Sequence, residues 1–80
     1  MHYVYIVKCK DGTYYTGYTN DLKRRIKQHN AGEGAKYTKG RRPVKLVHSE
    51  RFKSKSRAMQ REYEIKQFTR QKKVEIIKQD

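Results

Sequence analysis

Glu62 is the residue that fits its surroundings least. It lies in the middle of a helical apolar stripe made by Ala58, Met59 and Ile65. A carboxylate there is costly unless it is paired or bound to a cation. Either one of the many arginines pairs with it, or it ligates a hard cation such as Mg²⁺ or Mn²⁺, which takes carboxylate oxygen plus water. Arg25 suits bidentate phosphate binding and stabilisation of transition-state charge, or else it is the arginine that pairs with Glu62. His29, one helical turn further on, is a candidate base or phosphate ligand, or a packed histidine. Tyr5 and Tyr15 have three readings: ordinary strand aromatics, base-stacking platforms, or acid–base groups. The last needs a phenol pKa lowered by positive charge, which Arg25 and nearby lysines can supply.

Other chemistries lack their residues. Cys9 is the only cysteine, which excludes an intramolecular disulfide and a cysteine-based zinc cluster. It has no histidine–acid pattern around it for a cysteine hydrolase. His2 and His48 have no spacing that makes a zinc site with His29. No Gly-rich phosphate loop leads from a strand into a helix. The acids are too scarce and scattered for a two-metal carboxylate cluster. A phosphodiesterase built from these residues uses one metal.

The elements that must position these side chains follow in order. His2 to Cys9 reads as a strand of aromatic and β-branched residues. Thr13 to Thr19 is the return strand of a hairpin. A three-residue turn, Lys10-Asp11-Gly12, puts Gly12 where positive φ is needed. That register pairs Cys9 with Thr13, Val7 with Tyr15 and Tyr5 with Gly17, so Tyr5 and Tyr15 share one face. Asp21 to Asn30 reads as a helix capped by Thr19 or Asn20, with Gly32 at its exit. At about 100° per residue, Leu22, Arg25, Ile26 and His29 fall on one side.

Ala31 to Arg42 is a Gly- and Lys-rich connection with a short helical turn around Ala35 to Thr38. Pro43 opens a third strand, Val44 to Phe52, with Val44, Leu46 and His48 on one face. Ser54 or Ser56 caps a helix running to about Phe68. A last helix, about Gln71 to Lys78, buries Val74 and Ile77. The expected fold is α+β: a small three-stranded, mainly antiparallel sheet flanked by helices, in the order β-β-α-β-α-α. Residues 1–80 make one domain, with a thin core for their size.

Lys and Arg number 21 against 8 acids, a formal net charge of +13, which points to a polyanionic partner, most often nucleic acid. The excess is concentrated. Gly34 to Arg61 holds ten Lys/Arg and one acid, whereas Glu62 to Asp80 holds five and four. Lys36, Lys39, Arg41, Arg42 and Lys45 are the expected nucleic-acid contacts. No apolar run is long enough for a membrane span or a signal-peptide core, so a cytoplasmic protein is expected.

The residues resemble the GIY-YIG nuclease family over nearly the whole chain. Tyr3-Val4-Tyr5 stands for its first half-motif and Tyr15-Thr16-Gly17 for its second, with nine residues between the tyrosines. Asn20-Asp21-Leu22-Lys23-Arg24-Arg25 looks like the family's helix start. Glu62 falls where its metal-binding glutamate lies. The sequence looks most like the short stand-alone GIY-YIG proteins of bacteria, which also show a stretch like Gly34-Ala35-Lys36-Tyr37-Thr38. Tyr3 replaces the first glycine of the motif and Thr16 its middle Ile or Val. Tyr18 follows Gly17, where several members carry Lys or another small polar residue.

The resemblance implies hydrolysis of a DNA phosphodiester with one divalent metal, Mg²⁺ or Mn²⁺. By position, Tyr5 is the general base, Tyr15 its hydrogen-bonding partner and Arg25 the ligand of the scissile phosphate. His29 assists as base or phosphate contact, and Glu62 holds the metal. The expected activity is therefore that of a DNA endonuclease, of a repair type, with specificity from a protein partner or from the basic middle of the chain. The alternatives are a nucleic-acid-binding module that cleaves poorly, with RNA or the ribosome as its target, and an accessory subunit of a larger nuclease.

Overall fold

The computed structural model describes residues 1–79. The elements are β1 (His2–Lys8), β2 (Tyr14–Thr19), α1 (Leu22–Asn30), α2 (Lys36–Lys39), β3 (Lys45–Phe52), α3 (Lys55–Lys66) and α4 (Arg70–Lys78). The strands form one sheet in the order β2-β1-β3, with both pairings antiparallel. The α+β sheet with flanking helices is as expected. The helical turn in the connection is a short helix in its own right, α2, so the full order is β-β-α-α-β-α-α.

The hairpin takes the three-residue turn. The Cys9 amide donates to the Thr13 carbonyl at 2.8 Å and the Gly12 amide to the Cys9 carbonyl at 2.9 Å. Gly12 has φ +85°, a conformation only glycine adopts cheaply. Asp11 braces the turn by accepting from the backbone and hydroxyl of Thr13. The register then pairs Tyr5 with Gly17 and Val7 with Tyr15.

Both faces of β1 are covered, which is why its middle reads as an unbroken apolar run. Val4 and Ile6 pack on one face with Ala58, Ile65 and Ile76 of α3 and α4. Tyr5, Val7 and Cys9 pack on the other with Val44, Leu22 and Ile26. So α1 lies over the tyrosine face, and α3 and α4 over its opposite.

Several expectations are corrected. Val44, Leu46 and His48 do not share a face, because a bulge intervenes. Ile6 pairs with His48 while Val7 pairs with Leu46, which leaves Val47 as the extra residue. The strand's alternation flips there, and His48 joins the α3 side. Met59 leaves the stripe of α3 and is 43% exposed, because the buried line runs through Ala58 and Ile65. Ile76, rather than Val74 or Ile77, is the buried residue of α4. Asp21 itself caps α1, accepting from the Arg24 amide at 3.1 Å. Thr19 supports that cap by accepting from the Asp21 amide at 3.1 Å. Ser54 caps α3, which ends at Lys66, and Thr69 caps α4. No helix among the described residues is long and apolar enough to cross a membrane.

The core assignment has a direct test in urea unfolding. Ile65→Ala is expected to cost about 2–5 kcal/mol, as a buried aliphatic truncation. Met59→Ala is expected to stay within about 0.5 kcal/mol, as a surface change. Equal losses would contradict the corrected stripe.

Candidate active site

Tyr5 and His29 carry the site. Tyr5 projects from β1 under α1, and His29 comes down from α1; both residues are 0% exposed. The Tyr5 hydroxyl lies 2.7 Å from Nε2 of His29. Nδ1 of the same ring lies 2.8 Å from the Thr38 hydroxyl of α2, which donates its own hydrogen to the Ala35 carbonyl at 3.0 Å.

This donor count orders the chain. A hydroxyl has one hydrogen, and Thr38 gives it to a carbonyl that can only accept. Thr38 therefore accepts from Nδ1–H. Nε2 is left with its lone pair, and the Tyr5 hydroxyl donates to it. The tautomer is assigned from these partners. The neutral ring agrees with its surroundings, since burial first and the Arg25 charge second push the His29 pKa below its ordinary value.

Two glycines make room for the pair. A Cβ at Gly17 would sit 2.4 Å from the Tyr5 hydroxyl oxygen. One at Gly34 would sit 2.3 Å from Nδ1 of His29. Each contact is far inside van der Waals distance, and neither neighbour is a free side-chain end. Gly17 thus belongs to the site as much as Tyr5 does.

Arg25 closes the site from outside. Its Nε donates to the Tyr5 hydroxyl at 3.3 Å and its Nη1 to Gln28 Oε1 at 3.3 Å. Burial raises the Tyr5 pKa above the ordinary phenol value. The hydrogen bond and charge of Arg25 oppose that rise, while Tyr15 and Glu62 add to it. Tyr15 is not the hydrogen-bonding partner expected for Tyr5, since that place is held by His29. Tyr15 instead sets its ring edge-on to His29 at 5.5 Å and stacks on Tyr37 at 5.8 Å. It fixes the imidazole by packing.

Glu62 reaches the region from α3. Its side chain is 16% exposed and pairs with Lys66 at 3.6 Å, so the partner is a lysine one turn on and not an arginine. A pair with one exposed member is weak. Among the described residues no group of three or more His, Cys, Asp or Glu could form a protein cage for a metal. A single half-buried carboxylate fits a hard cation that keeps water and shares phosphate oxygens. It does not fit a closed zinc site.

The expected nucleic-acid residues divide. Lys36, Lys39 and Lys45 are exposed. Arg41 is engaged: it pairs with Asp11 at 3.0 Å, donates to the Tyr37 carbonyl at 2.8 Å and lies over the Tyr37 ring. Arg42 donates to the carbonyls of Lys39 and Asn30. The Asn30 side chain clasps the Val44 backbone through both of its polar atoms. These bonds fold the Gly- and Lys-rich connection back onto α1 and so deliver Thr38 and Gly34 to His29. Neither Thr38 nor Gly34 was singled out by its chemistry, although both lie in the Gly34 to Thr38 stretch.

The family model for the GIY-YIG catalytic domain matches residues 1–75. The chain belongs to the GIY-YIG family. It is 64% identical over 76 residues to a UPF0213 protein of Staphylococcus saprophyticus, covering 95% of this chain and 93% of that one. It is also 64% identical over 73 residues to a UPF0213 protein of Halobacterium salinarum, covering 91% and 95%. Among solved structures it is similar to the solution NMR structure of a UPF0213 protein of Bacillus halodurans. That match has a TM-score of 0.65 and 54% identity, and covers 99% of this chain and 84% of that one. GIY-YIG domains form a nuclease-type family, whose nucleases generally use a divalent metal. Thr16 stands where the motif has Ile or Val. Its hydroxyl is buried and, among the described residues, has no hydrogen-bond partner.

The lowered His29 pKa sets a pH dependence. As pH falls below about 6.5, the unfolded chain protonates this histidine before the folded one does. The contribution is complete above that value and is lost on acidification. Wild-type stability should therefore fall between about pH 7 and pH 5, and His29→Gln should be less stable but flatter across that window. A wild-type stability that is level or rises on acidification would contradict a buried neutral His29.

Proposed function

We propose that this protein is an endonuclease that hydrolyses a DNA phosphodiester bond with one divalent cation, Mg²⁺ or Mn²⁺. The observation that carries the reading is the ordered chain from Tyr5 through His29 to Thr38, with Arg25 against its phenol. Tyr5 is the base. Its proton passes to Nε2 of His29, whose Nδ1–H remains on Thr38. In the same step the phenol oxygen takes a proton from the attacking water as the water oxygen bonds to phosphorus, so no free phenolate forms against the raised Tyr5 and lowered His29 pKa. The P–O bond to the leaving oxygen breaks, and that oxygen takes a proton from solvent, which balances the one His29 gives up. The His29 imidazolium releases its own proton to solvent before the next turnover.

Arg25 binds the scissile phosphate and offsets the charge that builds on it. Its long bond to Tyr5 is easily exchanged for a charge-assisted one to phosphate, which uncovers the buried phenol and places the substrate beside it. Glu62 is the residue that holds the cation, which when bound supplies Lewis-acid stabilisation of the phosphoryl oxygens. Tyr15 positions His29. Lys36, Lys39 and Lys45 add sequence-independent attraction for the backbone, while Arg41 and Arg42 brace the connection.

The complete burial of Tyr5 favours one competing reading, a binding module that cleaves poorly. A cleavage panel separates the two. Labelled single-stranded, duplex, nicked, flapped and branched DNA, plus RNA, are incubated with Mg²⁺, with Mn²⁺ and with chelator. We expect metal-dependent DNA cleavage that Glu62→Ala abolishes with binding retained. Tyr5→Phe and His29→Gln should each lower the rate by about 100-fold or more, the scale of acid–base catalysis. Loss with Tyr15→Phe but not with Tyr5→Phe would move the base to the outer phenol. No cleavage of any substrate, with tight salt-sensitive binding, would establish the binding module instead.

A further inference from the structure

An open polar cleft of about 330 Å³ lies beside Arg25, between the start of α1 and the start of α3. Tyr18, Asp21, Arg24, Arg25, Gln28 and Lys55 line it. Three of these are cations, and among the described residues none of the three is in an ion pair. Unpaired like charges gathered at one cleft repel one another, so a concentration of this kind marks a place for an anion. The one acid there, Asp21, already accepts from the Arg24 amide as the cap of α1.

Arg25 is placed by its bonds to Tyr5 and Gln28, and Lys55 by an aromatic ring. Lys55 is the first residue of α3, and its ammonium lies 6.0 Å from the centre of the Tyr18 ring. The Tyr18 hydroxyl is bonded to Nδ1 of His2 at 2.7 Å, and the two rings stack at 5.9 Å. Arg24 follows the Asp21 cap on the first turn of α1. The positive ends of both helices, of nine and twelve residues, add to the side-chain charge. Arg25 forms a wall common to this cleft and to the Tyr5 site.

We propose that this cleft is a second phosphate subsite, in which Arg24 and Lys55 hold the phosphate that neighbours the scissile one on the same nucleic-acid strand. The assignment rests on the phosphodiesterase reading above and deepens it. The shared Arg25 wall makes the two positions adjacent along one backbone. The subsite gives the strand a direction across the molecule, from the Tyr5 site past the cap of α1 toward α3. It also moves backbone recognition from the arginines of the connection, which are bound to carbonyls and to Asp11, to unpaired cations next to the reacting centre.

The test measures binding with chelator present, so that no cleavage intervenes. Fluorescence anisotropy of a labelled oligothymidylate is followed across a KCl series for three proteins: wild type, Arg24→Gln/Lys55→Gln, and Lys10→Gln/Lys78→Gln. The last removes the same charge at exposed positions away from the cleft. Each phosphate contact contributes about 0.7 to the slope of log affinity against log salt on a single strand. The cleft variant should therefore lose about 1.4 from the slope, while the control keeps the wild-type slope. Amide NMR spectra confirm that both variants are folded. Equal slopes for the two variants, or an unchanged slope in the cleft variant, would overturn the subsite even in an active nuclease. A wild type that binds but cleaves nothing overturns the endonuclease reading alone, because the slopes remain measurable.

Discussion

A phenol and an imidazole, neither of them reached by solvent, meet at 2.7 Å between the central strand and the first helix. Burying two such groups is costly unless each finds its partners. Much of the molecule is arranged to supply them. The edge strand gives up a side chain at Gly17 and the connection gives up another at Gly34. The four-residue helix α2 brings the Thr38 hydroxyl, and α1 brings Arg25. The hairpin turn is part of the same arrangement, because only its register sets Gly17 across from Tyr5. A shift of one residue would put the Tyr15 side of β2 on the wrong face and fill the hole that the Tyr5 hydroxyl occupies.

The connection between α1 and β3 shows how charge and structure interlock. It is rich in glycine and lysine, a composition that suggests a loose loop. Arg41 and Arg42 instead tie it down, one to Asp11 and the Tyr37 carbonyl, the other to the carbonyls of Lys39 and Asn30. Their charge is partly used in closing the chain on itself. The Arg41, Tyr37 and Tyr15 side chains then stack in sequence against His29, so the tip of the hairpin and the imidazole share one packed column. Net charge pointed to an anionic partner, but it did not say which cations are free to meet one.

The hairpin and the inner face of α1 were legible because short-range rules govern them. Gly12 supplies the positive φ of its turn, and Leu22, Ile26 and His29 recur at the helical period. The Tyr5–Gly17 pair followed from that turn. The bulge at Val47 was not legible, since nothing local marks the extra residue and the pairing with β1 decides it. The burial of Ile76 over Val74 depends on how α4 docks, which the period of a nine-residue helix leaves open by one position. Thr38 was missed as a partner of His29 because its helix is too short to show a period. The place of Glu62 on the α3 stripe was legible, but its lysine partner was not, because lysine one turn away competes with every arginine the fold could bring near.

The central claim concerns the direction of one hydrogen-bond chain, and a nitrogen-resolved NMR spectrum of the histidine rings reads it directly. With ¹⁵N-labelled histidine at neutral pH, His29 should be a neutral ring protonated at Nδ1, with Nε2 unprotonated and accepting from Tyr5. The Tyr5→Phe variant should shift Nε2 and leave Nδ1 close to its original position. A ring protonated at Nε2, or at both nitrogens, would mean that Tyr5 cannot hand its proton to His29, and would contradict the account.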